Sequence, residues 1–387
     1  MTKRISRITA ILLIALCLSG CSGSLYEREY VMMREHSNFP SDGDSDGEII
    51  AEVSSAAAIR EACVNMIRDY VRYGIILFAE NYDGDPAEDV PIICQETAEN
   101  TSLGIYAVNS INYAVMRRDG VLEAEISIDF KKTSQEIRNI QYTGSRRDIE
   151  ELISSRLEQA ESGVTFVSQL RDIDEEYIQN YITELYYGDA LLSAYEPNVT
   201  TEIYIGFDNE IIVEIDFGRR YSQTRTLEML EQMIGEAELY LTEYSGSSTG
   251  QWLMHVCDKL GNSVRYINPS SLYTRTINDN TAYGALCEKK AVSEGFAMAF
   301  KAICDLNDVE CFVVRGQKDG AEHFWNIVML DSEYYHIDTT VVSGEGMYRA
   351  FLKNDTSLGF EYSWDRSAYP ECTGFTTYYD LMQEEIY

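Results

Sequence analysis

Residues 281–341 read TAYGALCEKKAVSEGFAMAFKAICDLNDVECFVVRGQKDGAEHFWNIVMLDSEYYHIDTTV. From Ser293 onward, apolar residues recur at the spacing of one helix face; they are Phe296, Ala299, Phe300, Ile303 and Cys304. Three β-rich runs follow: Cys311 to Val314, His323 to Leu330 and Tyr334 to Ile337. The last two are separated by a connection as short as that of a hairpin. The stretch therefore predicts a helix, a strand and a hairpin, in that order.

Three polar residues lie at the ends of these predicted elements. Ser293 begins the helix, His323 begins one strand and Asp338 ends another. A hydroxyl, an imidazole and a carboxylate are the groups that serve as nucleophile, general base and orienting group in acyl transfer. Each residue also has a structural explanation by itself: Ser293 as a helix cap worth about 1 kcal/mol, and His323 with Asp338 as a strand-end pair. Only the three together indicate a site.

Three motifs in this region resemble those of the transglutaminase-like superfamily, whose fold is related to papain-type cysteine proteases. The family reads roughly A-V-C-E-G-Y-A at the nucleophile helix, then H-A-W-N-x-V and Y-H-x-D. The matching segments here are 291–297 (AVSEGFA), 323–328 (HFWNIV) and 335–338 (YHID). The resemblance covers roughly residues 245–387. It implies an α+β, papain-like domain in which a helix packs on an antiparallel sheet.

The resemblance also implies which residues form the site. The triad positions are Ser293, His323 and Asp338. The supporting motif residues are Glu294, Gly295, Trp325, Asn326 and His336. We expect no cofactor and no metal ion, because the sequence has no cluster of histidines and cysteines at zinc-binding spacing.

The sequence departs from the family at the nucleophile, because Ser293 occupies the position of the cysteine. A cysteine pKa of about 8.5 lies close enough to a histidine pKa of about 6.5 for a thiolate–imidazolium pair to form. A serine hydroxyl is far less acidic, so Ser293 requires His323 as general base during attack. We therefore favour a catalytically inactive domain that binds a peptide, protein or peptidoglycan ligand. The alternatives are a serine-dependent acyl-transfer enzyme or peptidase that uses Ser293, His323 and Asp338, and a purely structural surface protein.

The N-terminus has the segments of an exported lipoprotein precursor in the required order. Lys3, Arg4 and Arg7 form a basic start, and Ile11 to Leu18 is apolar but too short to span a bilayer. Leu18-Ser19-Gly20-Cys21 then resembles a bacterial lipoprotein cleavage box. Residues 1–21 are therefore predicted to be a signal peptide with its lipobox. We expect an extracytoplasmic protein that is anchored to the bacterial cell membrane through acyl chains on Cys21.

The composition is strongly acidic. The 387 residues include 31 Lys and Arg against 64 Asp and Glu. Loss of the three basic residues of the signal peptide leaves 28 against 64, a formal charge of −36. Such a chain repels polyanions, so nucleic-acid partners are excluded.

Residues 22–54 are polar and acidic, and they are predicted to form a flexible linker between the anchor and the folded domains. Their centre, residues 41–47 (SDGDSDG), resembles the start of a calcium-binding loop. The twelfth position is Val53 in place of a bidentate glutamate, and no helix pattern precedes the loop. We therefore interpret the segment as a linker and not as a calcium site.

Two copies of an α+β module are predicted at residues 55–142 and 143–222, followed by the transglutaminase-like domain at 223–387. Each copy has a helix pattern, a short apolar strand and a closing hairpin. The final strands of the copies, 126–130 (ISIDF) and 213–217 (VEIDF), are nearly identical. The modules contain no histidine and no phosphate-binding loop, so we interpret them as spacers or interaction modules.

Seven cysteines follow Cys21, an odd number that prevents complete pairing; they are Cys63, Cys94, Cys257, Cys287, Cys304, Cys311 and Cys372. Several fall on apolar helix faces or within a strand, so burial as small hydrophobic residues is the expected role. Disulfides form readily outside the cytoplasm, but the sequence alone fixes none.

Overall fold

The structure is a computed structural model that describes residues 48–194, 196–243, 248–270 and 276–384. The predicted signal peptide, the predicted lipidation site Cys21 and most of the predicted linker lie outside these ranges. Among the described residues, no helix is both long enough and apolar enough to cross a membrane.

The first module is built on a four-stranded sheet. Its elements are β1 (Ile49–Ser55), α1 (Ala56–Arg68), β2 (Tyr73–Asp83), α2 (Pro86–Asn100), α3 (Ser102–Ala107), β3 (Val108–Arg118) and β4 (Val121–Phe130). The strand order is β1-β2-β4-β3, with β1 parallel to β2 and the other pairs antiparallel. Residues 49–54, predicted as the end of the linker, belong instead to this sheet, because Val53 is buried and pairs with Phe78.

The second module has the same strand order and connectivity. Its elements are α4 (Ser134–Arg138), β5 (Gln141–Thr143), α5 (Arg146–Glu158), β6 (Gly163–Ser168), α6 (Glu175–Gly188), β7 (Thr200–Ile205) and β8 (Ile211–Asp216). The order is β5-β6-β8-β7, again with the first pair parallel and the others antiparallel. The two modules therefore share a topology, whereas the internal duplication itself stays a prediction.

The C-terminal domain is built on a fully antiparallel sheet. Its elements are α7 (Gln223–Glu243), α8 (Thr249–Ser263), β9 (Arg265–Tyr266), α9 (Ala282–Leu286), β10 (Lys290–Ala291), α10 (Ser293–Leu306), β11 (Cys311–Lys318), β12 (Ala321–Leu330), β13 (Glu333–Ile337), α11 (Thr339–Glu345), α12 (Met347–Ala350), β14 (Tyr362–Trp364) and α13 (Tyr378–Glu384). The strand order is β13-β12-β11-β14. Helix α10 contacts β12, α7 and α9 and is buried from its first residue to Cys304. The predicted α+β class, with a helix packed on an antiparallel sheet, is confirmed.

Apolar packing crosses the predicted domain boundaries at 142/143 and 222/223. Tyr186, Ala190 and Ala194 of the second module are buried in the same apolar core as α10. Val167 and Ile212 of the second module pack into the core of the first. The described residues accordingly form one compact unit. Hydrophobic periodicity identifies a buried face but not the partner that covers it. Sequence patterns therefore place the boundaries at the ends of the predicted modules.

The shared core predicts that residues 223–387 do not fold stably by themselves. The truncated chain lacks the second-module side chains of this core, so apolar surface that is worth about 25 cal/mol per Å² becomes exposed. We expect a urea-unfolding midpoint, followed by circular dichroism, well below that of residues 48–387.

Two substitutions in residues 48–387 serve as matched tests of the same core. Tyr186→Ala should lower the free energy of unfolding by about 3 kcal/mol. Tyr142→Ala removes an exposed tyrosine of β5 and should have little effect. An unfolding midpoint of residues 223–387 equal to that of the longer chain contradicts the shared core.

Candidate functional site

Ser293 is the first residue of α10, and the chain enters this helix from strand β10. Strand β10 pairs in parallel with β9, and the Val292 N–H donates to the Asp279 carbonyl at 3.0 Å. Val292 is the N-cap residue, and it makes no side-chain capping hydrogen bond. The capping role considered for Ser293 is therefore wrong, because the residue lies one position inside the helix. Only 4% of Ser293 is exposed.

His323 and Asp338 form a buried pair. His323 lies in β12 and Asp338 directly follows β13, so the antiparallel pairing of these strands brings the side chains together. His323 Nε2 lies 2.7 Å from Asp338 Oδ2. Because a carboxylate only accepts hydrogen bonds, Nε2 carries the proton, and Nδ1 of the neutral ring is an acceptor.

Asp338 accepts two further hydrogen bonds. Its Oδ1 accepts from the Val341 N–H at 3.1 Å, at the start of α11. Its Oδ2 accepts from the Tyr362 hydroxyl at 2.9 Å. Burial raises the pKa of Tyr362, as does the Asp338 carboxylate, so the hydroxyl stays protonated and donates. Sequence reasoning missed Tyr362, because it is one of 28 tyrosines and belongs to no motif.

A second hydrogen-bonded chain lies beside this pair. The Trp325 Nε1–H donates to His336 Nδ1 at 3.0 Å, and His336 Nε2 lies 2.9 Å from Asp355 Oδ1. Burial lowers the pKa of His336, so its ring is neutral at neutral pH and carries its proton on Nε2. The Trp325 ring stacks with that of His323 at 6.2 Å between centroids. The chain therefore fixes the indole against which His323 packs.

His336, Asp355 and Cys372 place potential metal-ligand atoms within 4.8 Å of one another. Trp325 can only donate, so His336 Nδ1 must accept and Nε2 must keep its proton. Burial raises the pKa of the Cys372 thiol to about 12, whereas a metal binds the thiolate. These three residues therefore do not fit a metal site.

Glu294 is a buried carboxyl group next to Ser293 in α10. Burial raises its pKa to about 7, although a hydrogen bond from Tyr187 opposes the increase. The Tyr187 hydroxyl donates to Glu294 Oε1 at 2.6 Å. Tyr187 belongs to α6, so the second module reaches the residue beside Ser293. No local sequence pattern marks Tyr187 for this contact.

Gly295 and Asn326 hold α10 in position. A Cβ on Gly295 would lie 2.4 Å from the Asp279 carbonyl oxygen, so only glycine permits this close approach. Asn326 Nδ2 donates to the Ala297 carbonyl of α10 at 3.0 Å and to the Phe312 carbonyl of β11 at 3.3 Å. These two motif residues therefore connect α10 to the neighbouring segments.

His323 is hydrogen-bonded to Asp338, whereas in the described part of the chain Ser293 is not hydrogen-bonded to His323. Within the described ranges no hydrogen bond joins the Ser293 hydroxyl to the imidazole. The site thus contains the Ser293 hydroxyl and the His323 imidazole, together with the first N–H groups of α10, which have no partner within the helix. These groups can bind a carbonyl or an amide. Attack by Ser293 additionally requires contact between its hydroxyl and His323 Nδ1.

No protein-family model and no curated protein matches this sequence. Among solved structures, the chain is similar to one described as a TGase, with 11% identity and a TM-score of 0.27 over 59% of this chain and 66% of that one. It is also similar to a candidate cysteine protease from Cytophaga hutchinsonii, with 12% identity and a TM-score of 0.24 over 37% of this chain and 62% of that one. For a candidate protease from Parabacteroides distasonis, the values are 7%, 0.23, 68% and 39%. The chain covers no more than about two thirds of any of these three proteins.

The buried carboxyl group of Glu294 predicts a pH-dependent stability. Its pKa is about 7 in the folded protein and about 4.3 in an unfolded chain, so the folded state binds the proton more tightly. The resulting stabilisation is complete below the unfolded pKa and is lost as the pH rises through about 7, a change on the order of 3 kcal/mol. Glu294→Gln cannot ionise. Its unfolding free energy relative to the wild type should therefore increase by this amount from about pH 4 to about pH 8.

Urea denaturation at the two pH values measures this difference. Glu231→Gln, at an exposed position of α7, is the matched control, and its pH profile should run parallel to that of the wild type. If the Glu294→Gln profile also runs parallel to the wild type, Glu294 is not a proton-binding group near neutral pH.

Proposed function

We propose that this protein is an exported, lipid-anchored surface protein whose transglutaminase-like domain binds a peptide, protein or peptidoglycan ligand without acyl transfer. One observation carries the proposal. The described structure has no hydrogen bond between Ser293 and His323, although Asp338 holds its partners at 2.7 to 3.1 Å. A serine hydroxyl is too weak an acid to form an ion pair with the imidazole, so without that bond it is not activated.

The polar groups of the site fit an amide ligand. His323 Nδ1 accepts a hydrogen bond and the Ser293 hydroxyl donates one. A peptide amide offers an N–H donor and a carbonyl acceptor, so a single amide satisfies both groups. The N–H groups at the start of α10 add donors for the carbonyl. A formal charge of −36 in the mature chain disfavours polyanionic ligands, nucleic acid included.

A second candidate function is serine-dependent acyl transfer or peptide hydrolysis by Ser293, His323 and Asp338. The tautomer of His323 favours it: Asp338 holds Nε2–H, which leaves Nδ1 as the basic nitrogen that a general base requires. Catalytic hydrogen bonds often tighten only when the substrate binds. The two candidates therefore differ in the reactivity of Ser293 and not in the fold.

Ser293→Cys tests whether the site is an enzyme frame that lacks only its nucleophile. The introduced thiol lies at the start of α10, where the helix dipole favours a thiolate, and His323 can hold the proton as an imidazolium beside Asp338. We expect iodoacetamide to alkylate it near neutral pH about tenfold faster than the exposed thiol of a Ser270→Cys control. Addition of His323→Ala should abolish the difference.

Wild-type Ser293 should not react with a fluorophosphonate probe. The wild-type protein should also hydrolyse no amide or ester above background. Ser293→Ala provides the blank for probe labelling. Labelling of wild-type Ser293 would instead establish the serine-enzyme candidate. An introduced thiol that is no more reactive than that of Ser270→Cys contradicts an intact site.

The anchor is supported by the sequence of residues 1–21 alone. Cys21→Ala removes the acylated thiol, so we expect unprocessed precursor or release of the protein into the medium. Cys17→Ala lies within the apolar segment and should leave the anchoring unchanged. Immunoblots of membrane and medium fractions measure the outcome. Equal membrane fractions for Cys21→Ala and the wild type refute the anchor.

A further inference from the structure

Two pairs of cysteines lie side by side in the interior, and the first pair joins α1 to α2. Cys63 and Cys94 are buried in the core of the first module, and their thiols lie near enough for each to shift the pKa of the other. Arg60 and Glu96 form an ion pair across the same two helices. Ser55, just before α1, pairs with Asp83, just before α2, so the two helices start at the same end of the sheet and run parallel, with the two thiols at similar heights.

The second pair lies where α10 ends and β11 begins. Cys304 and Cys311 are buried in the C-terminal core, and burial together with the neighbouring Cys311 raises the pKa of the Cys304 thiol. The chain turns back at Cys304, whose carbonyl accepts the Val309 N–H at 3.0 Å. Lys301, one turn before Cys304, donates from its ammonium group to the Cys311 carbonyl at 2.9 Å. The helix face that carries Cys304 therefore lies against Cys311.

The remaining described cysteines have other neighbours. Cys257 Sγ lies 3.7 Å from Thr339 Oγ1, and Cys372 Sγ lies 3.9 Å from the Pro370 carbonyl. Cys287 is half-buried, and its surroundings are the charged side chains of Glu236, Glu288 and Lys289. The seven cysteines thus divide into two pairs and three single residues, which accounts for their odd number.

We propose that Cys63–Cys94 and Cys304–Cys311 are disulfide bonds in the exported protein. Neighbouring thiols on closely packed segments can reach the S–S distance of about 2.0 Å by side-chain rotation. Each bond forms by exchange with a low-molecular-weight disulfide such as oxidised glutathione. The two protein thiols lose two protons and two electrons, and the small disulfide is reduced to two thiols. Because all four sulfurs are buried, the exchange takes place while the chain folds, before the cores close.

The two bonds constrain different parts of the protein. Cys63–Cys94 fixes α1 against α2, and Cys304–Cys311 fixes to β11 the helix that carries Ser293 at its other end. Both bonds restrict the unfolded chain, so reduction should lower the thermal unfolding midpoint by roughly 5 °C. That the protein resides in an oxidising compartment follows from the proposed export, whereas the choice of cysteine pairs follows from the structure.

Peptide mapping tests the pairing without any substitution. The full chain is reduced, unfolded, refolded in a glutathione redox buffer, alkylated in denaturant and digested after glutamate without reduction. Glu310 lies between Cys304 and Cys311, so this cleavage separates the pair unless a disulfide links it. We expect linked peptides for both pairs, and alkylation at the single residues Cys257, Cys287 and Cys372. Alkylation of all seven cysteines that follow Cys21, any other pairing, or the absence of either link overturns the proposal for the bond concerned.

Variants and the native protein complete the test. Cys94→Ala should leave Cys63 open to alkylation, whereas Cys287→Ala should remove only its own label. If Cys94→Ala fails to fold, the wild-type map still decides. The same map is made on protein extracted from its native envelope. Links that form in the redox buffer but are absent from the extracted protein overturn the assignment to the exported form.

Discussion

A single buried carboxylate, Asp338, ties together the elements that form the site. It is 0% exposed, and a charge without partners at such a position is strongly destabilising. Three donors from three elements offset that cost: His323 in β12, the Val341 N–H in α11 and Tyr362 in β14. Removal of any one donor leaves the charge less well solvated. The position of His323 therefore depends on the same buried carboxylate that connects β12, α11 and β14.

Trp325 restrains the side chains around the His323–Asp338 pair. Its indole packs on Tyr362 at 5.2 Å and stacks with His323 at 6.2 Å between ring centroids, while its N–H is held by His336. The indole also requires a glycine at position 316, because a Cβ there would lie 2.6 Å from the Trp325 ring. The Trp325 indole thus packs against both the Tyr362 ring, whose hydroxyl donates to Asp338, and the His323 imidazole.

The sequence predicted local elements better than long-range partners. The apolar spacing in α10 and the hairpin of β12 and β13 are local properties, so helix, strand and hairpin were predictable. Tyr362 and Tyr187 reach the site from distant segments, and no periodicity or motif distinguishes them from other tyrosines. The capping role considered for Ser293 is wrong by one residue, because the N-cap is Val292. Sequence patterns do not resolve helix ends to a single residue.

The second module cannot act only as a spacer, because it takes part in the environment of Ser293. Tyr186 is buried in the core around α10, and the adjacent Tyr187 donates to Glu294. A spacer needs neither contact. Because Glu294 directly follows Ser293, loss of its proton near neutral pH adds a negative charge beside the serine and strengthens the demand for the Tyr187 hydroxyl. The surroundings of Ser293 and the packing of α6 are therefore coupled through one hydrogen bond.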